Sequence, residues 1–197
     1  IKEIATALSR KLGQEVDLPR HFGFLMQWQV IAPFDNTGRK GFDTVNPPEN
    51  MIELTATYPG KGGAEAKWLP ITSTDAYGKI DLNGPFGKLK EVTGYAYTEF
   101  IADAARPAEL RLGCKNAWKV WLNGELQFGR DEYHRGQRID QYKMPVELKK
   151  GRNTILVKIC QCELTEKWAV EWEFKLRVCD GSGTAILSAD RPKSVTK

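Results

Sequence analysis

The run from Trp168 to Val178 constrains the fold more than any other stretch of this sequence. Its even positions are all large and apolar, namely Trp168, Val170, Trp172, Phe174, Leu176 and Val178, and four of its five odd positions are charged. Side chains of a strand alternate between two faces, so this period of two predicts a strand with one apolar face. Such a strand needs a second layer to cover it, which predicts antiparallel sheets packed face to face.

The composition excludes several classes of protein. Lysine and arginine total 29 against 25 acidic residues, and this small excess is scattered, so nucleic acid is not predicted as a partner. No stretch approaches the 18 apolar residues of a membrane-spanning helix. The four cysteines, Cys114, Cys160, Cys162 and Cys179, are too few and too irregular for a disulfide framework or a zinc ribbon. Free buried thiols are expected, and one disulfide pair stays open.

The length of 197 residues predicts one domain with short appendages. Apolar residues recur at helical spacing from Ile1 to Leu12, so residues 1–21 are interpreted as an N-terminal amphipathic helix with its connector. Residues 22–188 contain about nine strand-like segments between turn signals, which predicts an all-β antiparallel sandwich or jelly roll. Residues 189–197 are interpreted as a tail. Because the chain begins at Ile1 in mid-pattern, we expect it to be part of a larger protein.

A β-hairpin is predicted from Trp118 to Phe128 around Asn123-Gly124. A two-residue turn would pair Trp121 with Leu126 and mix apolar with polar side chains further along. One additional bulged residue at the glycine places the apolar side chains on one face and the polar side chains on the other. The expectation is therefore a three-residue loop with Val120 opposite Leu126.

Three segments carry a family resemblance: Leu110-Arg-Leu-Gly, Lys119-Val-Trp-Leu-Asn-Gly-Glu and Val146-Glu-Leu-Lys-Lys-Gly-Arg-Asn-Thr-Ile-Leu-Val-Lys. They resemble the galactose-binding-like jelly rolls, and in particular the sugar-binding domain that precedes the barrel in family-2 glycoside hydrolases. The segment Trp28-Gln-Val-Ile-Ala-Pro-Phe-Asp, with Gly41-Phe-Asp, is similar to the start of accessory modules in large secreted bacterial proteins.

The resemblance covers roughly residues 22–180. It implies a galactose-binding-like jelly roll in an extracytoplasmic protein, periplasmic or secreted, with a saccharide and the neighbouring domains of the parent chain as partners. Where relatives often carry an acidic D-D-G, this chain has Cys114-Lys-Asn-Ala, so a ligand or calcium role is not transferred to that position.

No catalytic residue is predicted, and the chain is interpreted as a non-enzyme. It lacks Gly-x-Ser-x-Gly, His-Glu-x-x-His, a phosphate-binding loop and a dinucleotide fingerprint, and it has only two histidines. A calcium ion could be held by Asp35, Asn36 and Asp43, but ordinary turn capping by these residues is favoured. No cofactor or metal is therefore predicted.

The loop from Asp131 to Gln141 is the main candidate for a binding site. Sugars are held by an aromatic face together with planar polar groups, and this loop and the adjacent hairpin supply both. The candidate ligand-binding residues are Trp121, Tyr133, His134, Arg135, Arg138 and Asp140. The alternative is a loop stitched to its own backbone by Arg135 and Asp140, with Trp121 buried.

Three functions remain open at this point. The first is a non-catalytic accessory module that binds carbohydrate. The second is a structural or protein-interaction domain with no small ligand, which predicts an exposed apolar patch. The third is a jelly-roll hydrolase or lyase, which would need a cleft lined by paired acids.

Overall fold

The computed structural model describes residues 16–191, so the predicted helix at Ile1 to Leu12 lies outside the described residues. Three short α-helices are α1 (Leu18–Phe22), α2 (Pro47–Asn50) and α3 (Asn83–Phe86), and three 3-10 helices span Thr37–Phe42, Lys61–Gly63 and Lys167–Ala169. The strands are β1 (Gln27–Asp35), β2 (Thr57–Pro59), β3 (Glu65–Thr72), β4 (Ile80–Asp81), β5 (Val92–Ala102), β6 (Arg106–Cys114), β7 (Ala117–Leu122), β8 (Glu125–Arg130), β9 (Tyr142–Leu148), β10 (Gly151–Gln161) and β11 (Glu173–Cys179).

These strands form two antiparallel sheets. The larger has seven strands in the order β2-β3-β1-β5-β10-β7-β8, and the smaller has four in the order β4-β11-β6-β9. The predicted all-β antiparallel sandwich is confirmed. Strand β5 lies between β1 and β10, the central position that bulky residues on both of its faces indicate.

The main core fills the space between the two sheets. Trp118, Trp172 and Phe100 are among its largest members, and each is at most 1% exposed. Trp28 lies against Phe174 with ring centroids 5.0 Å apart in an edge-to-face arrangement, which joins the larger sheet to the smaller. The apolar residues of the Trp168–Val178 run that belong to β11 are therefore buried in the core, as their alternation predicts.

The strand predicted over residues 168–178 is shorter than expected. It begins at Glu173, and Trp168 lies in the 3-10 helix Lys167–Ala169 with 53% of its surface exposed. Side chains bind the backbone of this segment in place of a neighbouring strand. The side-chain amide of Gln161 donates to the carbonyl oxygens of residues 169, 170 and 171, and Lys90 Nζ also donates to that of Ala169.

The charged face of β11 is also not simply solvated. Arg177 is 5% exposed and Glu173 is 9% exposed. Neighbouring loops cover this face, so its charges are paired inside the structure, Glu173 with Lys79 and Arg177 with Asp140.

The register of the predicted hairpin is wrong. Leu122 pairs with Glu125 and Trp121 with Leu126, so the turn contains only Asn123 and Gly124. Both turn residues have positive φ, of 54° and 82°, as a type I′ turn requires. The extra residue lies at Gln127 within β8, because Val120 pairs with Phe128. Burial did not fix this register, since β8 is an edge strand on which Leu126 stays exposed.

A buried ion pair holds residues 42–49 over the outer face of the larger sheet. Lys158 on β10 is fully buried and its Nζ donates to Phe42 O at 3.0 Å, Thr44 O at 2.7 Å and Glu49 Oε1 at 2.9 Å. Glu49 belongs to α2 and also accepts from the Tyr95 hydroxyl. All three ammonium hydrogens thus have acceptors, which is what a buried lysine needs.

The cysteine prediction is confirmed: all four thiols are free and buried. Within residues 16–191, no helix is both long enough and apolar enough to cross a membrane.

Candidate functional site

The loop of residues 131–141 connects the edge strands of the two sheets. It leaves β8 after Arg130, which pairs with Trp118, and enters β9 at Tyr142, which pairs with Leu112 on β6. The loop therefore closes one end of the sandwich, as its position in the sequence predicts.

Tyr133 is anchored against the start of the chain's first long loop. Its hydroxyl accepts from Asn36 Nδ2 at 3.2 Å, and the same amide donates to Gln161 O at 2.8 Å. The Arg39 guanidinium lies over the Tyr133 ring, 4.9 Å from its centroid. Burial raises the pKa of Tyr133, so the phenol stays neutral and serves as a packing surface.

His134 adopts a left-handed backbone conformation with φ of 61°, and its N–H donates to Lys115 O at 2.7 Å. Its Nε2 lies 3.2 Å from the Sγ of the buried Cys162. Burial lowers the pKa of His134, and the nearby cations Lys115, Arg39 and Lys90 lower it further. The imidazole is therefore neutral near pH 7.

Trp168 is the exposed aromatic of this end of the sandwich. Its ring meets His134 edge to face, with centroids 4.7 Å apart and an interplanar angle of 83°. Since 53% of the residue is exposed, the histidine braces the indole without covering it. Periodicity places Trp168 in the core, so sequence reasoning missed this residue. The one available signal was the charged surroundings of Trp168, Glu166-Lys167 before it and Glu171 after it.

An ion pair of planar groups lies beside these rings. Arg39 donates through Nε to Glu163 Oε2 at 3.1 Å and through Nη2 to Glu163 Oε1 at 2.5 Å. Both side chains are nearly half exposed, at 45% and 43%. The hydrogen bonds from Arg39 lower the pKa of Glu163 to about 2, so the carboxylate is ionised over the physiological range. We call Tyr133, His134, Trp168, Arg39 and Glu163 the end cluster.

Asp140 has a different role from the one predicted. It lies on the outer side of the smaller sheet, where Arg177 donates to both of its carboxylate oxygens at 2.6 Å and Arg111 donates to Oδ2 at 2.8 Å. Burial alone would raise the pKa of Asp140, but the bonds from the two arginines lower it. Asp140 therefore fastens the loop to side chains of the sheet, whereas the alternative interpretation expects it to bond the loop's own backbone.

Arg135 and Arg138 are exposed on the loop. Arg135 pairs only with the nearby Glu132, at 3.7 Å. The Arg138 carbonyl packs against Gly113, where a Cβ atom would lie 2.1 Å from its oxygen. Among residues 16–191, no hydrogen bond or ion pair joins either guanidinium to Tyr133.

Trp121 lies apart from the loop. It is 7% exposed and belongs to a second apolar cluster on the outer face of the larger sheet, together with Tyr97 and Leu156. A groove of about 240 Å³ opens beside it, between residues 48–52 and the Asn123-Gly124 turn. Of the six predicted residues, the structure therefore brings only Tyr133 and His134 into one cluster.

At Asp35 and Asn36, where a calcium ion was the less favoured alternative, the structure shows turn capping. Asp35 Oδ1 accepts from the N–H of Thr37 at 3.1 Å and from its hydroxyl at 2.7 Å. The Asn36 side chain is turned inward to Tyr133. In the part of the chain that the structure describes, no group of three histidine, cysteine or acidic side chains could hold a metal ion.

The sequence matches no protein-family model and no curated protein. Structural similarity is found to a β-glucosidase from Kluyveromyces marxianus (TM-score 0.48, 11% identity, 90% of this chain and 22% of that chain) and to a β-glucuronidase from an uncultured Clostridium species (TM-score 0.42, 10% identity, 80% and 29%). A family 35 carbohydrate-binding module from Clostridium thermocellum is also similar (TM-score 0.32, 14% identity, 45% and 72%).

The chain spans less than a third of the two hydrolases. The similarities concern the fold alone. The β-sandwich itself is established by the two sheets of this chain.

Proposed function

We propose that this chain is a non-catalytic, saccharide-binding accessory module of a larger extracytoplasmic protein, and that the end cluster is its binding surface. The observation that carries the proposal is the exposed indole of Trp168, braced at its edge by His134. An aromatic side chain beside a few placed polar groups is the composition typical of a small-molecule binding site.

The chemistry of the cluster suits a pyranose ring. One face of a pyranose presents C–H groups, which stack on an aromatic ring, and its rim presents hydroxyls. Adjacent hydroxyls pair well with planar groups that offer two donors or two acceptors. The half-exposed Arg39 guanidinium and Glu163 carboxylate offer both, and their mutual ion pair holds them in place.

His134 is assigned a positioning role rather than ligand contact. Its Nε2 is engaged with Cys162, and its ring is set perpendicular to the indole. A neutral imidazole packs against the indole without the desolvation cost of a buried charge. The Trp168 ring is thereby held in one orientation before any ligand arrives, which reduces the entropy lost on binding.

Glycan-array screening followed by calorimetric titration of the strongest hit tests the proposal. Replacement of Trp168 by alanine should weaken binding about tenfold or more, the loss of one stacking interaction of about 1.4 kcal/mol. The matched control is Met51→Ala, at another exposed apolar residue, which lines the groove beside Trp121.

The binding results of these variants distinguish a wrong location of the binding site from a wrong function. If Met51→Ala weakens binding and Trp168→Ala does not, the saccharide binds at the Trp121 groove and the end cluster is refuted. If the unaltered protein binds no saccharide on the array, the proposed function itself is wrong.

A further inference from the structure

Each sheet of the sandwich ends in edge strands, and most of these are protected against pairing with another chain. Strand β4 has two residues, and β2 has three and ends at Pro59. Strand β9 contains Pro145 and directs Lys143 and Glu147 to solvent. Proline, charge and shortness are the usual protections of an edge.

Strand β8 has no proline or charge along its middle, where the bulge at Gln127 is its one protection. It has six residues and no proline, and Leu126 and Phe128 are 54% and 45% exposed. Within residues 16–191, the only strand that pairs with it is β7. Charged residues stand only at its ends, Glu125 at one and Arg130 at the other.

The register of the hairpin identifies the free backbone groups of β8. Pairs in an antiparallel ladder alternate between those that exchange hydrogen bonds and those whose N–H and C=O groups point outward. The pair that closes the two-residue turn, Leu122 with Glu125, is of the first kind. Counting from it through the bulge, the outward residues of β8 are Leu126 and Gly129.

We propose that β8 is a self-association edge, at which a second copy of this chain adds its own β8 antiparallel about a two-fold axis. Only one register places both outward residues opposite each other: Leu126 faces the partner's Gly129, and Gly129 faces the partner's Leu126. The bulged residues 127 and 128 then match in number on the two strands.

Charge complementarity supports the second copy as the occupant. In this register Glu125 faces the partner's Arg130 at one end, and two-fold symmetry repeats the pair at the other end. Both side chains are exposed: Arg130 makes a loose contact of 3.8 Å with Glu132 and lies over the Phe128 ring, 5.2 Å from its centroid. Opposite charges that face each other across a ladder are stabilising, and like charges are destabilising.

Charge reversal at the two positions tests the register directly. Sedimentation velocity of this chain over about 10 to 500 µM, the micromolar range expected for so small an interface, should show a concentration-dependent monomer–dimer equilibrium. Glu125→Arg alone and Arg130→Glu alone should each raise the dimer dissociation constant about tenfold, because each turns two attractive pairs into two repulsive ones. The double variant should restore the original constant.

Glu147→Arg on the protected edge β9 is the control for net charge and should leave dimerisation unchanged. Far-UV circular dichroism confirms that each variant is folded. A chain that stays monomeric over the whole range would overturn the proposal. So would single reversals without effect, or a double reversal that fails to restore association, since no other partner or register predicts that recovery.

Discussion

Removal of the buried Lys158 charge should destabilise the fold more than any surface substitution. Lys158→Met keeps most of the apolar stem and deletes the ammonium group. It leaves the Phe42 and Thr44 carbonyls without their donor and strands the Glu49 carboxylate in a buried site, where its side chain is 9% exposed. Breaking one partner of a buried ion pair costs about 3–5 kcal/mol.

That loss corresponds to a fall in Tm of about 6–20 °C for a domain of this size. Urea unfolding followed by tryptophan fluorescence measures it, with Lys143→Met on the exposed edge of β9 as the control. Addition of Glu49→Gln to Lys158→Met should recover about 2 kcal/mol, because no unpaired charge then remains buried.

Either of two results from these single and double variants would refute the reasoning. If Lys158→Met costs less than about 1 kcal/mol, or if the two substitutions are additive, the pair does not hold the segment over the outer face of the larger sheet. The groove beside Trp121, one wall of which is formed by residues 48–52, should lose its shape together with the pair.

Three further results are expected. Because the pKa of His134 is lowered in the folded state, the stability that the residue confers is complete above its ordinary pKa of 6.5 and is lost as pH falls below that value. The urea midpoints at pH 7.5 and pH 5.0 should therefore differ less in His134→Gln than in the unaltered protein. An equal difference in the two proteins would contradict this reasoning. Gly113→Ala should cost about 2 kcal/mol, since its Cβ would lie 2.1 Å from the Arg138 carbonyl oxygen, whereas Gly181→Ala, in open space, should be nearly neutral in the same unfolding assay. Asp140→Asn should cost about 2–4 kcal/mol by leaving Arg177 without its carboxylate, while Arg111 keeps its pair with Glu109, and a neutral result would show that solvent already screens this cluster.

The sequence predicts those strands whose burial follows from their own alternation of apolar and polar residues. Strands β5, β6 and β11 are recognisable because their side chains alternate against a core, and alternation is visible in one dimension. The Asn123-Gly124 turn is likewise visible, but its register is not. On an edge strand no burial penalty selects the face, so turn geometry decides and the bulge moves to Gln127.

The candidate site is harder to predict, because its members come from four separate segments. The sequence singles out Tyr133 and His134, but Arg39 and Glu163 lie 124 positions apart, one before and one after them, and meet only in the fold. Asp140 is mistaken for a ligand-binding residue because its two arginines are distant in sequence.

The sequence alone determines a two-layer antiparallel sandwich, because a strand with one apolar face is stable only when that face is buried. Only the tertiary structure decides which tryptophan faces solvent. Trp168 and Trp172 occupy equivalent positions in the pattern, yet side-chain hydrogen bonds hold the backbone of residues 169–171 outside the strand, and Trp168 lies exposed whereas Trp172 is buried. Those bonds come from Gln161 and Lys90, and a local pattern carries no information about groups that meet only after the chain has folded.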